Sequence, residues 1–181
     1  MDSPGGFGPL SVLVPHSGDA EGIRLRAGAR RAGAALEARF LLEGDLSGLR
    51  LLAAAGGELW QHTCFEVFLR RAGMPAYLEF NFSLKGEWRA YSFASYRNRG
   101  PVDAAASTPG LSAELSQRQV RLQARLSPER FDLAGELEVG LSAVLEGNDG
   151  SLRYWALRHP PGKPDFHHDE AFALRLHALR H

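Results

Sequence analysis

The residues of this chain that could do chemistry gather between Leu59 and Tyr96, in the segments LWQHTCFEVFLR, YLEFNFS and GEWRAYSFASYR. Strand parity sorts their side chains. Cys64, Glu66 and Phe68 share one face of an extended segment, and Phe65, Val67 and Leu69 share the other. Tyr77, Glu79, Asn81 and Ser83 share a face opposite Leu78, Phe80 and Phe82. The wholly apolar set belongs in a core. Glu79 and Asn81 therefore lie on the far face, and Glu66 joins them if the two strands are neighbours. Two carboxylates and an amide accept hydrogen bonds from hydroxyls, and the flat rings of Trp60, Tyr77, Trp88 and Tyr91 can cover C–H faces. That combination suits a polyol. Parity alone leaves the alternatives open: a solvated outer face for Glu79 and Asn81, and core or rim packing for Trp60 and Trp88.

Other chemistries find little support. Gly5-Gly6-Phe7-Gly8 lies near the start of the chain with no strand before it, so it does not read as a phosphate loop. There is no Gly-x-Ser-x-Gly elbow and no His-Glu-x-x-His. Cys64 sits beside Phe65 in a strand-like run, where an inert buried thiol is expected rather than a nucleophile. His159 to Glu170 (HPPGKPDFHHDE) offers nitrogen and oxygen donors in His159, Asp165, His167 and His168. Adjacent histidines on an extended chain point apart, however, and no ligand spacing is present. The expectation is a loop stiffened by Pro160, Pro161 and Pro164, closing over one end of the fold, with His167 or Asp165 fixing it through hydrogen bonds. No catalytic residue, metal or cofactor is expected. Glu66 and Glu79 as an acid–base pair, as in glycoside hydrolysis, is the last-ranked reading.

The elements that must position these residues are strands. Leu36, Ala38, Phe40 and Leu42 alternate with polar neighbours; so do Val120, Leu122, Ala124 and Leu126, and the run Leu137, Val139, Leu141, Ala143 and Leu145. Further strands are expected at Leu10–Val14, Gly22–Ala27, Phe65–Leu69, Tyr77–Phe82, Glu87–Ser95, Leu152–Leu157 and Phe172–Leu176. Ala29 to Arg39 has helix-forming residues, but its alternation favours strand from Ala34 onward. Lys85–Glu87 and Gly147–Gly150 read as hairpin connectors. Ser127 and Pro128 suggest one helical turn, Ser127 to Arg130. Gly100 to Gly110 reads as a small-residue loop. About ten short strands separated by turns imply an all-β, antiparallel two-sheet β-sandwich, and the 181 residues form a single domain, 1–181.

Charge and composition narrow the partners. Basic and acidic residues balance at 21 each, so the whole chain exerts no pull on nucleic acid or an anionic membrane. A lone cysteine and the absence of a basic, then apolar, segment in Met1 to Pro15 lead to the expectation of a cytoplasmic protein.

Several motifs carry a family resemblance. Leu59-Trp60-x-x-x-Cys64-Phe65-Glu66-x-Phe68-Leu69 is followed by Tyr77 to Ser83, by Gly86-Glu87-Trp88 and by Tyr96-Arg97. Later come Tyr154-Trp155-Ala156-Leu157, His159-Pro160 and Lys163 to His168. Together they resemble the bacterial DOMON-like family, with matches from about Leu36 to Leu176, most of the chain, and with Leu84 standing where proline is expected. That family is related to family 9 carbohydrate-binding modules and to haem- or sugar-binding DOMON domains. The resemblance implies a β-sandwich and a non-catalytic module for a sugar-like ligand. In the carbohydrate-binding relatives a Trp six residues before a strand Glu meets the sugar, which implies roles for Trp60 and Glu66. A later aromatic that sandwiches the ring corresponds to Trp155. The full expected ligand-binding set is Trp60, Glu66, Glu79, Asn81, Trp88, Arg97 and Trp155, with Arg97 a donor to an anionic ligand. Haem-binding relatives use a Met and a His, but Met74, His62, His159 and His167 do not match their motifs. A structural protein-interaction domain and a haem or metal carrier are the alternative functions.

Overall fold

The computed structural model describes residues 7–18, 20, 22–52, 57–100, 108–129 and 131–178. Its strands are β1 (Ser11–Pro15), β2 (Arg24–Ala32), β3 (Ala35–Glu43), β4 (Cys64–Arg71), β5 (Tyr77–Phe82), β6 (Trp88–Ser95), β7 (Asn98–Arg99), β8 (Gly110–Leu115), β9 (Gln119–Leu126), β10 (Leu137–Glu146), β11 (Leu152–Ala156) and β12 (Leu174–Leu176). All pairings are antiparallel. The alternating runs of β3, β9 and β10 are strands as expected, and Lys85–Glu87 and Gly147–Gly150 join adjacent paired strands.

β1 divides the sandwich. Ser11 to Leu13 pair with β2, and Val14 and Pro15 pair with β11. The first sheet therefore runs β1-β2-β3-β9-β8, and the second runs β1-β11-β10-β4-β5-β6-β7. The apolar faces meet between them. Leu36, Ala38, Phe40 and Leu42 of β3 oppose Phe65, Val67 and Leu69 of β4 in one buried cluster. The Phe40 and Phe65 rings cross the gap between the sheets with centroids 5.3 Å apart.

Some elements differ from expectation. β2 extends to Ala32 because Gly33, in the left-handed region at φ 64°, turns the chain directly into β3. Ser127 to Glu129 form no helix, only a turn closed by the Phe131 amide on the Pro128 carbonyl at 3.4 Å; Arg130 lies outside the described residues. The segment that follows supplies no amphipathic run to bury a helix. β8 is a further strand: Leu111, Ala113 and Leu115 alternate with Gly110, Ser112 and Glu114, but the run is short and lies mostly exposed at the sheet edge. Residues 101–107 of the small-residue loop lie outside the described residues.

Gly44 has φ 132°, and a Cβ there would run into the Gly22 carbonyl oxygen. Gly44→Ala is expected to lower stability by more than about 1 kcal/mol, read as a lower urea midpoint.

The second sheet carries one long excursion. β11 pairs with Ser142 to Glu146 of β10, and β12 pairs with Leu137 to Val139 on the same side of β10. Residues 157–173 leave the sheet between these two pairings and cross its outer face. Where they cross β10, only glycine fits: a Cβ on Gly140 would stand 3.1 Å from the Ala171 carbonyl oxygen and 3.2 Å from Phe68 Cβ.

Candidate functional site

The outer face of the second sheet is assembled by register. Glu66 on β4 lies opposite Asn81 on β5, and Phe68 lies opposite Glu79, so the two glutamates are diagonal neighbours on one face. Tyr91 and Phe93 of β6 stand opposite Glu79 and Tyr77. Ser142 of β10 stands opposite Glu66. The face is neither open nor solvated. Phe68, Tyr77, Tyr91, Phe93 and Phe172 form a second buried cluster against which Phe166 packs.

Residues 157–173 roof this cluster but leave a cleft of about 460 Å³. Glu66, Glu79 and Val144 lie at its floor. Phe93, Tyr154, Pro164, Phe166 and His167 wall it, and the exposed Trp60, Arg97, Arg99 and Lys163 line its outer part. Trp60 is 43% exposed. It projects from a short 3-10 turn, Leu59–Gln61, whose Leu59 is buried against Cys64 and Val144. The chain just after the turn is tied to β10. His62 Nδ1 lies 2.8 Å from Glu146 Oε2, and Thr63 Oγ1 accepts the Glu146 amide at 2.9 Å.

The glutamates are almost fully buried, 2% exposed at Glu66 and 6% at Glu79. Neither has an Arg or Lys within salt-bridge distance among the described residues. Burial pushes Glu66 above the usual carboxylate range, and the charge of Glu79 pushes it further. Among the described residues, only the Cys64 thiol and the Ser142 hydroxyl, each 3.3 Å away, donate to it. Burial also raises Glu79, against the opposing pull of the Asn81 amide, which donates to Oε1 at 2.9 Å, and of the more distant Arg99 and Arg97. Two buried carboxyl groups with raised affinity for protons thus share the floor of one cleft. Cys64 is fully buried, and burial together with Glu66 holds its thiol protonated.

The roof is pinned by the side chains expected to fix it. Asp165 accepts from Tyr96 Oη, from Arg97 Nη2 at 2.8 Å and from the His167 amide at 3.0 Å. The hydrogen bonds from Tyr96 and Arg97 hold its carboxyl below the usual range even though burial pushes it up. His159 Nε2 meets the Val14 carbonyl at 2.9 Å, and His16 Nε2 meets that of Gly162 at 2.8 Å. The adjacent histidines do point apart: His167 faces the cleft, while His168 Nδ1 accepts the Glu170 amide at 3.2 Å. The loop lies across a sheet face, however, and not over one end of the sandwich. Its aromatic side chains bury themselves on Phe68 and Phe93, which only the sheet face offers.

Of the expected site residues, Trp60, Glu66, Glu79 and Arg97 converge on the cleft. Asn81 is on the correct face but is fully buried, and it orients Glu79 instead of lining the cleft. Two expectations are corrected. Trp88 stands opposite Phe82 and so turns to the core side of the sheet, where it packs on the inter-sheet cluster. Trp155 is 2% exposed in that same cluster. The aromatic of β11 that reaches the cleft is its neighbour Tyr154, one residue earlier and so on the opposite face. Phe93, Arg99, Lys163, Phe166 and His167 were not anticipated as site residues. Parity would have signalled Phe93, which shares a face with Tyr91. The others depend on where the loop and the short strand β7 land.

No family model matches the chain, and no curated protein matches it. Solved structures do. A family 9 carbohydrate-binding module from Caldicellulosiruptor kristjanssonii in complex with cellotriose superposes with a TM-score of 0.61 at 10% identity, over 85% of this chain and 74% of that one. A family 9 module from the same organism in complex with glucose gives 0.61 and 10%, over 85% and 76%. A candidate carbohydrate-binding protein from Bacteroides uniformis gives 0.58 at 15% identity, over 90% and 83%. At these identities the likeness establishes the shared β-sandwich fold.

Proposed function

We propose that this chain is a non-catalytic sugar-binding module of the DOMON and family 9 carbohydrate-binding type, and that the cleft on the outer face of its second sheet is the binding site. The observation that carries this reading is an exposed Trp60 beside two buried carboxylates that no Arg or Lys among the described residues neutralises. Trp60 supplies a flat apolar surface for the C–H face of a sugar ring. Carboxyl oxygens of Glu66 and Glu79 accept hydrogen bonds from hydroxyls, and Arg97, already oriented by Asp165, offers further donors. A cleft of about 460 Å³ falls in the size range of small-ligand sites. Solved family 9 modules that share this fold hold cellotriose and glucose. The cytoplasmic address expected from composition goes better with a small sugar, a nucleotide sugar or a cell-wall precursor than with a polysaccharide.

The non-catalytic part of the reading rests on the register. Glycosidases place two carboxyl groups on either side of the scissile bond. Glu66 and Glu79 sit on adjacent strands of one floor, on the same side of anything that enters the cleft.

A thermal-shift screen with mono- and disaccharides, nucleotide sugars and haemin tests the proposal. A ligand at about a hundred times its Kd adds about 2.7 kcal/mol, enough to raise Tm by a few degrees. The expected result is a shift with a sugar that disappears in Trp60→Ala and in Glu66→Gln, with both variants still folded. A response to haemin alone, with a Soret band, would put a haem carrier in its place. No response to any ligand would favour a protein-interaction domain.

A further inference from the structure

We infer that His167 and Glu79 form a donor–acceptor pair that holds one hydroxyl of the ligand, and that this pair sets which sugar the cleft accepts. The inference deepens the sugar-site reading and rests on it. His167 Nε2 and Glu79 Oε2 face each other across 3.8 Å, too far for a hydrogen bond. Neither atom has a hydrogen-bond partner among the described residues, whereas the other polar atom of each side chain is engaged. Asn81 donates to Glu79 Oε1 at 2.9 Å, and His167 Nδ1 lies 2.8 Å from Tyr77 Oη. An oxygen at about 2.8 Å from both free atoms fits over the gap. That oxygen accepts from His167 Nε2 and donates to Glu79 Oε2 when the carboxyl is ionised, or accepts from both when Glu79 is protonated; a hydroxyl does either, whereas a carboxylate cannot donate and an ammonium cannot accept.

The direction of these bonds follows from the surrounding groups. Tyr77 Oη accepts the Arg97 amide at 3.1 Å. The phenol proton is then free to go to His167 Nδ1, and in a neutral ring that leaves the remaining hydrogen on Nε2, aimed at Glu79. The ring is neutral: burial, followed by the Arg97 charge, pushes its pKa down to about 4. Burial pushes Tyr77 up to about 12, so the phenol keeps its proton. The assembly is held before any ligand arrives. Tyr77 stacks on Phe93 at 4.6 Å with an interplanar angle of 8°, and the His167 ring sits edge-on to Phe68 at 5.1 Å and to Phe93 at 5.0 Å. Such a pre-set pair loses little freedom on binding and penalises a sugar that lacks the hydroxyl, because two buried groups are then left unpaired.

Two measurements test this. Nitrogen-detected NMR of the free protein should show His167 as the neutral Nε2–H tautomer between about pH 5 and pH 8, with Tyr77→Phe removing that fixed tautomer. A His167 that carries its hydrogen on Nδ1, or that is protonated at about pH 6, overturns the inference. Calorimetric titration with D-glucose and each of its monodeoxy derivatives should find one derivative bound at least about tenfold more weakly than glucose. That discrimination should shrink to below about twofold in His167→Phe. Glu79→Met should lose the same discrimination, which keeps the result readable if His167→Phe does not fold. Equal affinity for every derivative, or discrimination retained in both variants, overturns the inference while leaving the sugar site standing. The predicted tautomer with no binding of glucose, galactose, xylose or N-acetylglucosamine overturns the sugar reading and the inference with it.

Discussion

Replacing Trp155 with alanine is expected to lower stability by about 3–5 kcal/mol, whereas Trp60→Ala changes it by no more than about 0.5 kcal/mol and removes ligand binding. The two tryptophans have opposite surroundings. Trp155 lies on β11, hydrogen-bonded between β10 and β1, and its side chain fills the space between the sheets at 2% exposure. Its loss leaves a cavity amid strands that cannot collapse without breaking pairing at the point where β1 joins the two sheets. Trp60 stands 43% exposed on a turn anchored by Leu59, so its removal uncovers little of the core. Urea denaturation with an unchanged m value, alongside sugar titration, separates the two roles. If Trp155→Ala unfolded at the wild-type midpoint and lost only binding, Trp155 would be the stacking platform and the assignment of the cleft would be wrong.

Wild-type stability is expected to fall by about 1–2 kcal/mol as pH rises from about 6.5 into the mildly alkaline range, and Glu66→Gln is expected to reduce that fall to the smaller part that Glu79 contributes. Burial, followed for Glu66 by the charge of Glu79, raises both carboxyls above the 4.5 of an ordinary glutamate. Above that value the folded state holds protons the unfolded chain has released. Stability is therefore greatest below it and is lost as pH climbs through the folded values. One proton contributes about 1.4 kcal/mol per pH unit within that window.

Other groups titrate elsewhere. His167 and His159 are lowered by burial, so they subtract stability as pH falls below 6.5 and mask the glutamate slope there. Glu37 and Glu43 are lowered, first by their hydrogen bonds from Arg30 and Arg26, and their contribution is lost only on acidification below 4.5. Tyr77 and Tyr91, raised by burial, act above 10. Chemical denaturation at stepped pH and constant ionic strength reads the net slope. A flat or rising wild-type profile above about pH 6.5, or an equal slope in Glu66→Gln, would mean that the glutamates are ionised and solvated in the folded protein.

Much of this arrangement was legible locally. The period-two alternation of β3, β9 and β10 specified which side of each strand is apolar, because successive side chains on a pleated strand must point to opposite faces. The same rule put Glu66, Glu79 and Asn81 on the face away from Phe65, Phe80 and Phe82, where they are found. What one strand cannot report is which residue stands beside it. Trp88 turns inward because its register partner is Phe82. Tyr154 and not Trp155 reaches the cleft because the facing of β11 is decided by pairing with β10 and β1.

The sequence by itself therefore determined the all-β class, the polar and apolar faces of the central strands, and the stretch that holds Trp60, Glu66, Glu79 and Arg97. Each of these depends on side chains a few residues apart on one segment. Only the tertiary structure decided that residues 157–173 cross the outer face of the second sheet, that Asn81 orients Glu79, and that His167 comes within 3.8 Å of Glu79 from 88 positions away. Those outcomes depend on strand register and on where a long excursion buries its aromatic side chains, and both are set by contacts between segments distant in the chain.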